Sequence, residues 1–402
     1  MRALVYACTA WQYAACRVVG RLWSGVYWSA AGPARLTDVT PPPVRPGWCL
    51  VRVRQCGLCA SDLHLIRLHF SLASAPLAMA SRAGAPFILG HELVGVVEQA
   101  GAGCRVPIGT RVISRSGGCR NCGNLEVAPC PSCRQGEYAL CLRQGAPAPG
   151  HEPLRGGGFA PLYWEHAANL VPVLPALSDD QALLAEPLAC ALRAVLRLPG
   201  LETGQVLVIG AGLQGLGVLH WLTCLCPQVQ AFALARHRHQ AAFAHLFGAH
   251  QVLPDPLALE RLAPHVGTTC VRGPGRNTML LEGFDAVIDT VGTPQTIHRA
   301  LRCIRPGGML IVLGAHLFAG HLDYSPIWFR DVRVVGAFAH GMEAFRGREV
   351  STLHLAMELL AHEAPLPANL VTHRVALEEI AWAARLHDTK SSSGVIRVAV
   401  QP

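Results

Sequence analysis

The sequence predicts an α/β protein in two parts, an irregular β-rich part followed by a doubly wound parallel sheet. Three observations carry this. Short β-type runs such as 49–54 and 93–98 are punctuated by Pro and Gly through the first 150 residues, the texture of an irregular barrel-like domain. From about residue 187, apolar strand-like runs alternate with helical stretches. A glycine-rich turn, Gly210-Ala211-Gly212-Leu213-Gln214-Gly215, closes the apolar run 205–209 and opens a helix. That is the context in which such a turn binds a dinucleotide.

With 402 residues, 51% hydrophobic and 15% charged, the chain has apolar surface for more than one core. The run 1–6 reads as a strand rather than a secretory leader. No apolar run approaches the ~18 residues of a membrane span, so a cytoplasmic protein with no membrane partner is expected. Ser178-Asp179-Asp180-Gln181 is a capping box that starts a helix, and Pro187 suits the first turn of the next one. Glu186 is therefore expected at a break, held away from helical geometry by the following proline. Strands are expected at 206–209, 230–234, 286–290, 309–313 and 332–336, with helices at 214–226, 238–247 and 294–304. A helix near 350–362 and a last strand at 394–400 follow, and the Gly- and Pro-rich stretch 142–158 reads as a mobile loop.

The net charge of +8 comes from arginine, since Lys390 is the single lysine. The arginines are scattered, so no nucleic-acid partner is expected. Sixteen cysteines without a secretory leader argue against a disulfide scaffold. Five of them, Cys119, Cys122, Cys130, Cys133 and Cys141, crowd into one short stretch, which reads as metal binding.

A second set of donors is dispersed: Cys59 in Cys59-Ala60-Ser61-Asp62-Leu63-His64, His91 in Gly90-His91-Glu92, and Glu186 in Ala185-Glu186-Pro187. Thiolate, imidazole and carboxylate together hold zinc with one coordination position open. Judged one at a time, each residue is as readily a packed core group. Asp62 could accept from the His91 ring N–H and fix its tautomer. Glu92 is an alternative ligand, while Cys56 and Cys190 read as packed thiols. A zinc-activated alcohol needs a hydroxyl-to-imidazole path to solvent for its proton, and Ser61 and His64 are close enough in sequence to provide one.

On these motifs the chain resembles the zinc-dependent medium-chain dehydrogenases/reductases, the superfamily of alcohol, sorbitol and threonine dehydrogenases. Glu186-Pro187-Leu188 is closer to the sorbitol and threonine branch. The resemblance implies a GroES-like irregular β-barrel catalytic domain at 1–186 with a cysteine-rich lobe at about 115–145. It also implies a Rossmann doubly wound domain at 187–336 and a return to the catalytic domain at 337–402. It implies catalytic zinc on Cys59, His91 and either Glu186 or Glu92, with Ser61 and His64 as the proton relay. Cys130, Cys133 and Cys141 match the last three positions of the family's structural zinc site. The first departs from the pattern, falling at Val127, so Cys119 is favoured as fourth ligand and Cys122 competes. A homodimer or homotetramer is implied, and the apolar run 332–338 looks like the edge strand that would need covering.

In the nucleotide turn, Gly210 makes the bend, Gly212 lets a pyrophosphate approach, and Gly215 lets the helix pack close. Leu213 and Gln214 begin a helix whose free N–H groups suit phosphate. An enzyme selective for NAD wants an acid about 20 residues further on. Ala235 stands there, no Asp or Glu occurs between Gly215 and Asp255, and Arg236-His237-Arg238-His239 follows. Arg236 and Arg238 therefore point to NADP(H) over NAD(H). Asp289, at the end of an expected strand, reads as lining the cofactor or capping a helix. The expected activity is zinc-dependent interconversion of a small-molecule alcohol and its aldehyde or ketone. The alternatives are an alkene or quinone reductase on the same fold, or a non-catalytic zinc-stabilised nucleotide-binding protein.

Overall fold

The structure is a computed structural model that describes residues 1–70, 86–115, 128–142, 156–198, 200, 203–274, 277–318 and 320–402. Cys119, Cys122 and most of the expected loop 142–158 lie outside the described residues.

Two large sheets organise the chain. The first runs in the order Val371–Ala376, Arg397–Gln401, Trp48–Gly57, Glu92–Ala100, Arg111–Ser114, Leu170–Pro172. Leu162–His166 also pairs with Trp48–Gly57. Alternation along the long central strand explains why it sits here: Val51 and Val53 are buried while Arg52 and Arg54 face water. The expectation of a barrel needs correction, because the described strands form an open sheet with no closing pair. A short edge sheet of Ala34–Asp38, Arg2–Tyr6 and Phe87–Ile88 stands beside it instead.

The second sheet is wholly parallel, in the order Gln251–Pro254, Val229–Ala235, Gly204–Ile209, Phe284–Asp289, Ile304–Val312, Arg333–Gly336. Numbered within the sheet this is 3-2-1-4-5-6, the doubly wound order with its switch point beside the first strand. Val206, Leu207, Val208 and Ile209 are all inaccessible, as expected of a strand covered on both faces. The strand Gln251–Pro254 escaped the sequence reading, being four residues long and ending in proline.

One helix, Asp179–Leu196, joins the two sheets. Its Ser178–Gln181 capping box forms as expected, but the expected break at Glu186 does not. Pro187 lies inside a continuous helix, and the helix passes straight through the expected domain boundary. Proline removes one helical hydrogen bond, yet every residue from Ala182 to Val195 is buried. Packing on both sides therefore outweighs the local penalty, and the Trp221 indole donates to the neighbouring Leu188 carbonyl at 2.8 Å. At the chain's end, Arg397–Gln401 returns to pair with Trp48–Gly57, Ala399 opposite Gly57.

Candidate active site

Strand register explains how Cys59 meets His91. Trp48–Gly57 and Glu92–Ala100 pair antiparallel with Gly57 opposite Glu92, so the residues just beyond each end are neighbours. Gly90 makes the turn into His91 at φ +88°, a left-handed conformation glycine adopts without penalty. A side chain there would collide with the Cys56 sulfur and the Phe159 backbone. At Gly57 a Cβ would stand 2.5 Å from Glu92 Oε2, so the glycine leaves room for that carboxylate to lie across the strand.

The ligand atoms of Cys59, His91 and Glu92 lie within 4.8 Å of one another. Cys59 caps the helix Ala60–Ile66, and its backbone N–H donates to Asp62 Oδ2 at 3.1 Å. The other Asp62 oxygen faces His91 Nδ1 at 3.4 Å. His91 Nε2 is thus turned to the open side, 3.4 Å from Ser61 Oγ and 4.0 Å from Glu92 Oε1. Burial works against a charged His91, but Asp62 and then Cys59 outweigh it and hold the imidazole well above its ordinary pKa. The same field would favour a metal cation in place of that proton. Soft, nitrogen and oxygen donors grouped in this way fit zinc.

Glu186 approaches from the connecting helix but falls outside this trio. It is buried, and Cys190 Sγ donates to its Oε1 at 3.7 Å. Burial drives the Cys56 and Cys190 thiols far up in pKa, in keeping with packed, protonated sulfur. Arg397, which the sequence reading passed over, closes the site from behind. Its Nη2 donates to Glu92 Oε1 at 2.9 Å and its Nη1 to the Leu58 carbonyl at 2.7 Å. Burial lifts the Glu92 carboxyl above its ordinary value, Arg397 pulls against this, and Glu186 adds to the lift.

Ser61 and His64 share one face of the helix Ala60–Ile66, three residues apart. Burial, reinforced by His69, His316 and Arg67, lowers the His64 pKa to about 4. His64 is therefore neutral near pH 7 and would hold a proton only weakly.

Cys130, Cys133 and Cys141 form a second cluster, buried and again within 4.8 Å of one another. Cys130 precedes the single turn Pro131–Arg134, which brings Cys133 back beside it. Burial would raise the Cys130 pKa, but the N–H groups of Cys133 and Leu142 and the neighbouring thiols bring it down to about 6. Three grouped thiols, with Cys130 inclined to the thiolate, fit structural zinc. This lobe is fixed to the connecting helix by Arg193, which is buried and donates twice to Glu137, at 2.7 and 2.8 Å. Arg193 Nε also donates to Glu343 at 2.9 Å. An arginine on the Glu186–Cys190–Arg193 stripe of an apolar helix was the available sequence signal.

At the nucleotide turn Gly210 takes φ +93°. A Cβ on Gly215 would fall 1.9 Å from the Gly210 carbonyl oxygen, whereas one on Gly212 would meet nothing. Gly215 therefore answers to helix packing and Gly212 to open space in front of the helix Leu213–Leu225. The buried Gln214 Oε1 has no hydrogen-bond partner, an acceptor available to a bound ligand's hydroxyl. These features fit a dinucleotide.

Arg236 leaves the end of Val229–Ala235 and is mostly exposed, while Arg238 opens the next helix. An acid stands close by after all. Asp255 Oδ2 lies 3.5 Å from Arg236 Nη2, and Arg299 holds its other oxygen. It arrives from the adjacent parallel strand, Asp255 N–H donating to the Ala235 carbonyl at 3.0 Å, and not from the position about 20 residues past the turn, where Ala235 stands. Of the two roles expected for Asp289, its side chain shows the capping one. It is wholly buried, and its oxygens accept from Val291 N, Gly292 N and Thr296 Oγ1 at 2.7–3.1 Å.

Residues 45–176 match the alcohol dehydrogenase GroES-like domain, and residues 215–354 match the zinc-binding dehydrogenase domain. Together the two matches span about two thirds of the chain. The chain belongs to the zinc-type medium-chain dehydrogenases/reductases. It is an alcohol dehydrogenase-like oxidoreductase, of a family that uses zinc and a nicotinamide cofactor. This dehydrogenase is 27% identical over 357 residues to D-arabinitol dehydrogenase 1 of Uromyces fabae, covering 88% of this chain and 89% of that protein. It is 26% identical over 364 residues to L-threonine 3-dehydrogenase of Chromobacterium violaceum, covering 87% and 92%. Among solved structures it is similar to L-idonate 5-dehydrogenase of Escherichia coli, with TM-score 0.72, 18% identity and coverage of 100% and 98%. It is likewise similar to 2R,3R-butanediol dehydrogenase of Bacillus subtilis, with TM-score 0.67, 20% identity and coverage of 92% and 96%. At these identities the structures show the fold alone.

Two donor clusters in separate places lead to a first prediction. Elemental analysis of the purified dehydrogenase should find about two zinc ions per chain. Cys133→Ser should remove one of them and lower thermal stability; a single zinc unaffected by that change would overturn the structural assignment.

Proposed function

We propose that this dehydrogenase interconverts a secondary alcohol and its ketone with NADP(H) as redox partner. The observation that carries the reading is the grouping of Cys59, His91 and Glu92 beside the Ser61–His64 helix face. Cys59, His91 and Glu92 would hold the zinc, with Glu186 within reach as the alternative carboxylate. When bound there, zinc polarises the substrate oxygen, and the nicotinamide ring exchanges hydride with the adjacent carbon. Asp62 orients His91 through Nδ1, Ser61 accepts the hydroxyl proton, and His64 passes it outward. Secondary alcohols are favoured because the names of both relatives refer to molecules carrying one, arabinitol and threonine at carbon 3. The proposed division remains 1–186, 187–336 and 337–402. Dimeric or tetrameric association is part of the reading, since Arg333–Gly336 is an edge strand with Phe338 exposed nearby.

NADP(H) is preferred because Arg236 follows the strand Val229–Ala235 and Arg238 opens the next helix, where the adenosine end of a dinucleotide would lie, and Asp255 is already shared by Arg236 and Arg299. A charge-assisted contact to the 2′-phosphate contributes about 1.5–3 kcal/mol, a ten- to hundredfold preference. Dissociation constants for NADPH and NADH should show that preference in the wild type and its reversal in Ala235→Asp/Arg236→Ser. Equal affinities in the wild type would refute it. The activity itself is tested on a panel of secondary alcohols with zinc-replete enzyme; absence of turnover alongside tight nucleotide binding would favour a non-catalytic role.

A further inference from the structure

The helix Ala10–Val19 and the turn after it lie ahead of the first family match, which begins at residue 45. The helix is well made. Thr9 Oγ1 accepts from Gln12 N at 3.1 Å while Gln12 Oε1 accepts from Thr9 N at 3.0 Å, a reciprocal cap. One face is docked: the Tyr13 hydroxyl donates to the Phe70 carbonyl at 2.6 Å, Cys16 is buried, and the Arg17 guanidinium sits over the Phe318 ring.

The opposite face is bare and apolar. Trp11, Ala14, Ala15, Val18 and Leu22 follow one another at helical spacing, and all are exposed. Trp11 is 84% and Leu22 93% accessible, with Val19 and Trp23 alongside at 41% and 58%. Exposed apolar stripes of this length mark a contact surface.

Charge says which contact. Residues 1–37 contain Arg2, Arg17, Arg21 and Arg35 and no Asp or Glu. A second copy meeting this face symmetrically would set the exposed Arg21 against its own counterpart, with no carboxylate in the segment to pair it. A lipid surface supplies both missing complements, acyl chains for Trp and Leu and anionic headgroups for arginine. Tryptophan at the edge of such a stripe suits the headgroup level.

We infer that the face Trp11–Trp23 docks this protein on an anionic membrane surface. The contact is peripheral, and no helix among the described residues is long and apolar enough to cross a bilayer. It departs from the expectation of no membrane partner, which rested on the absence of a span. Because the inner face of the helix packs on Phe70 and Phe318, docking brings the place where Phe70 bridges Leu317 toward the lipid.

The test is co-sedimentation of the full-length, zinc-replete protein with phosphatidylcholine vesicles, plain or containing about one third phosphatidylserine. Binding should favour the anionic vesicles by about fivefold, the effect of one arginine, Arg21, at the lipid surface, and should weaken at about 0.5 M salt. Trp11→Ser/Leu22→Ser should lower anionic-vesicle binding by about tenfold or more, and Arg21→Glu by at least about fivefold. These side chains are solvent-facing, so circular dichroism and nucleotide binding should be unchanged, which separates lost docking from lost folding. Wild-type binding by the double variant, or no binding to either vesicle, would overturn the inference. So would a concentration-dependent doubling of mass that the double variant abolishes, which would assign the face to a second copy.

Discussion

His91→Ala is expected to lower kcat/KM at least about a thousandfold while the NADPH dissociation constant moves less than about threefold. The magnitude follows from losing a Lewis acid that contributes several kcal/mol to the reaction barrier. The selectivity follows from placement. His91 stands at the end of the first sheet, whereas Gly210, Gly212 and Gly215 follow the strand Gly204–Ile209 of the parallel one and open its helix. Cys59→Ala should behave alike. Asp62→Asn, which leaves all three donors but weakens the hold on His91 Nδ1, should cost about ten- to a hundredfold in metal affinity. Steady-state kinetics, zinc content and nucleotide titration on the same preparations separate these outcomes. Retained turnover in His91→Ala would remove the histidine from the catalytic site. Simultaneous loss of zinc, nucleotide binding and folding would make it a core residue instead.

Arg397→Met should destabilise the protein by about 3–5 kcal/mol, because it leaves the Glu92 carboxylate buried without its cation. Both groups are inaccessible, and Arg397 Nη2 lies 2.8–2.9 Å from the Glu92 oxygens. The single change Glu92→Gln leaves a buried cation and should also be costly. The double variant Glu92→Gln/Arg397→Met should recover much of the loss, since two charges are then absent rather than one unpaired. Denaturant titration of the four metal-free proteins gives the coupling directly. Additive losses would mean that the pair is not a unit.

The parts of the site legible in the sequence are those set by local geometry. The glycine turn needs a strand before it and a helix after it, and both are readable within a few residues of Gly210. The capping box at Ser178 was visible for the same reason. Glu186 was misplaced because Pro187 breaks helices by local rules, whereas here buried side chains on every face keep the helix continuous. Arg397 reaches Glu92 across strands far apart in the chain, and Asp255 meets Arg236 from the neighbouring strand rather than from the strand that Arg236 follows, so neither pairing shows in a local pattern.

By itself, then, the sequence determined the succession of β-rich and alternating parts, the thiol, imidazole and carboxylate donors, and the phosphate-binding turn. Backbone preferences and side-chain chemistry act over a few residues and leave their pattern in order. Tertiary structure alone decided that Glu92 groups with Cys59 and His91, while Glu186 accepts from the Cys190 thiol. It also decided that Arg397 closes the site, and that Asp289 is spent on its own turn. Those outcomes depend on strand register and burial, which join Arg397 to Glu92 across 305 positions and leave the Asp289 carboxylate without exposure, and no local pattern encodes either.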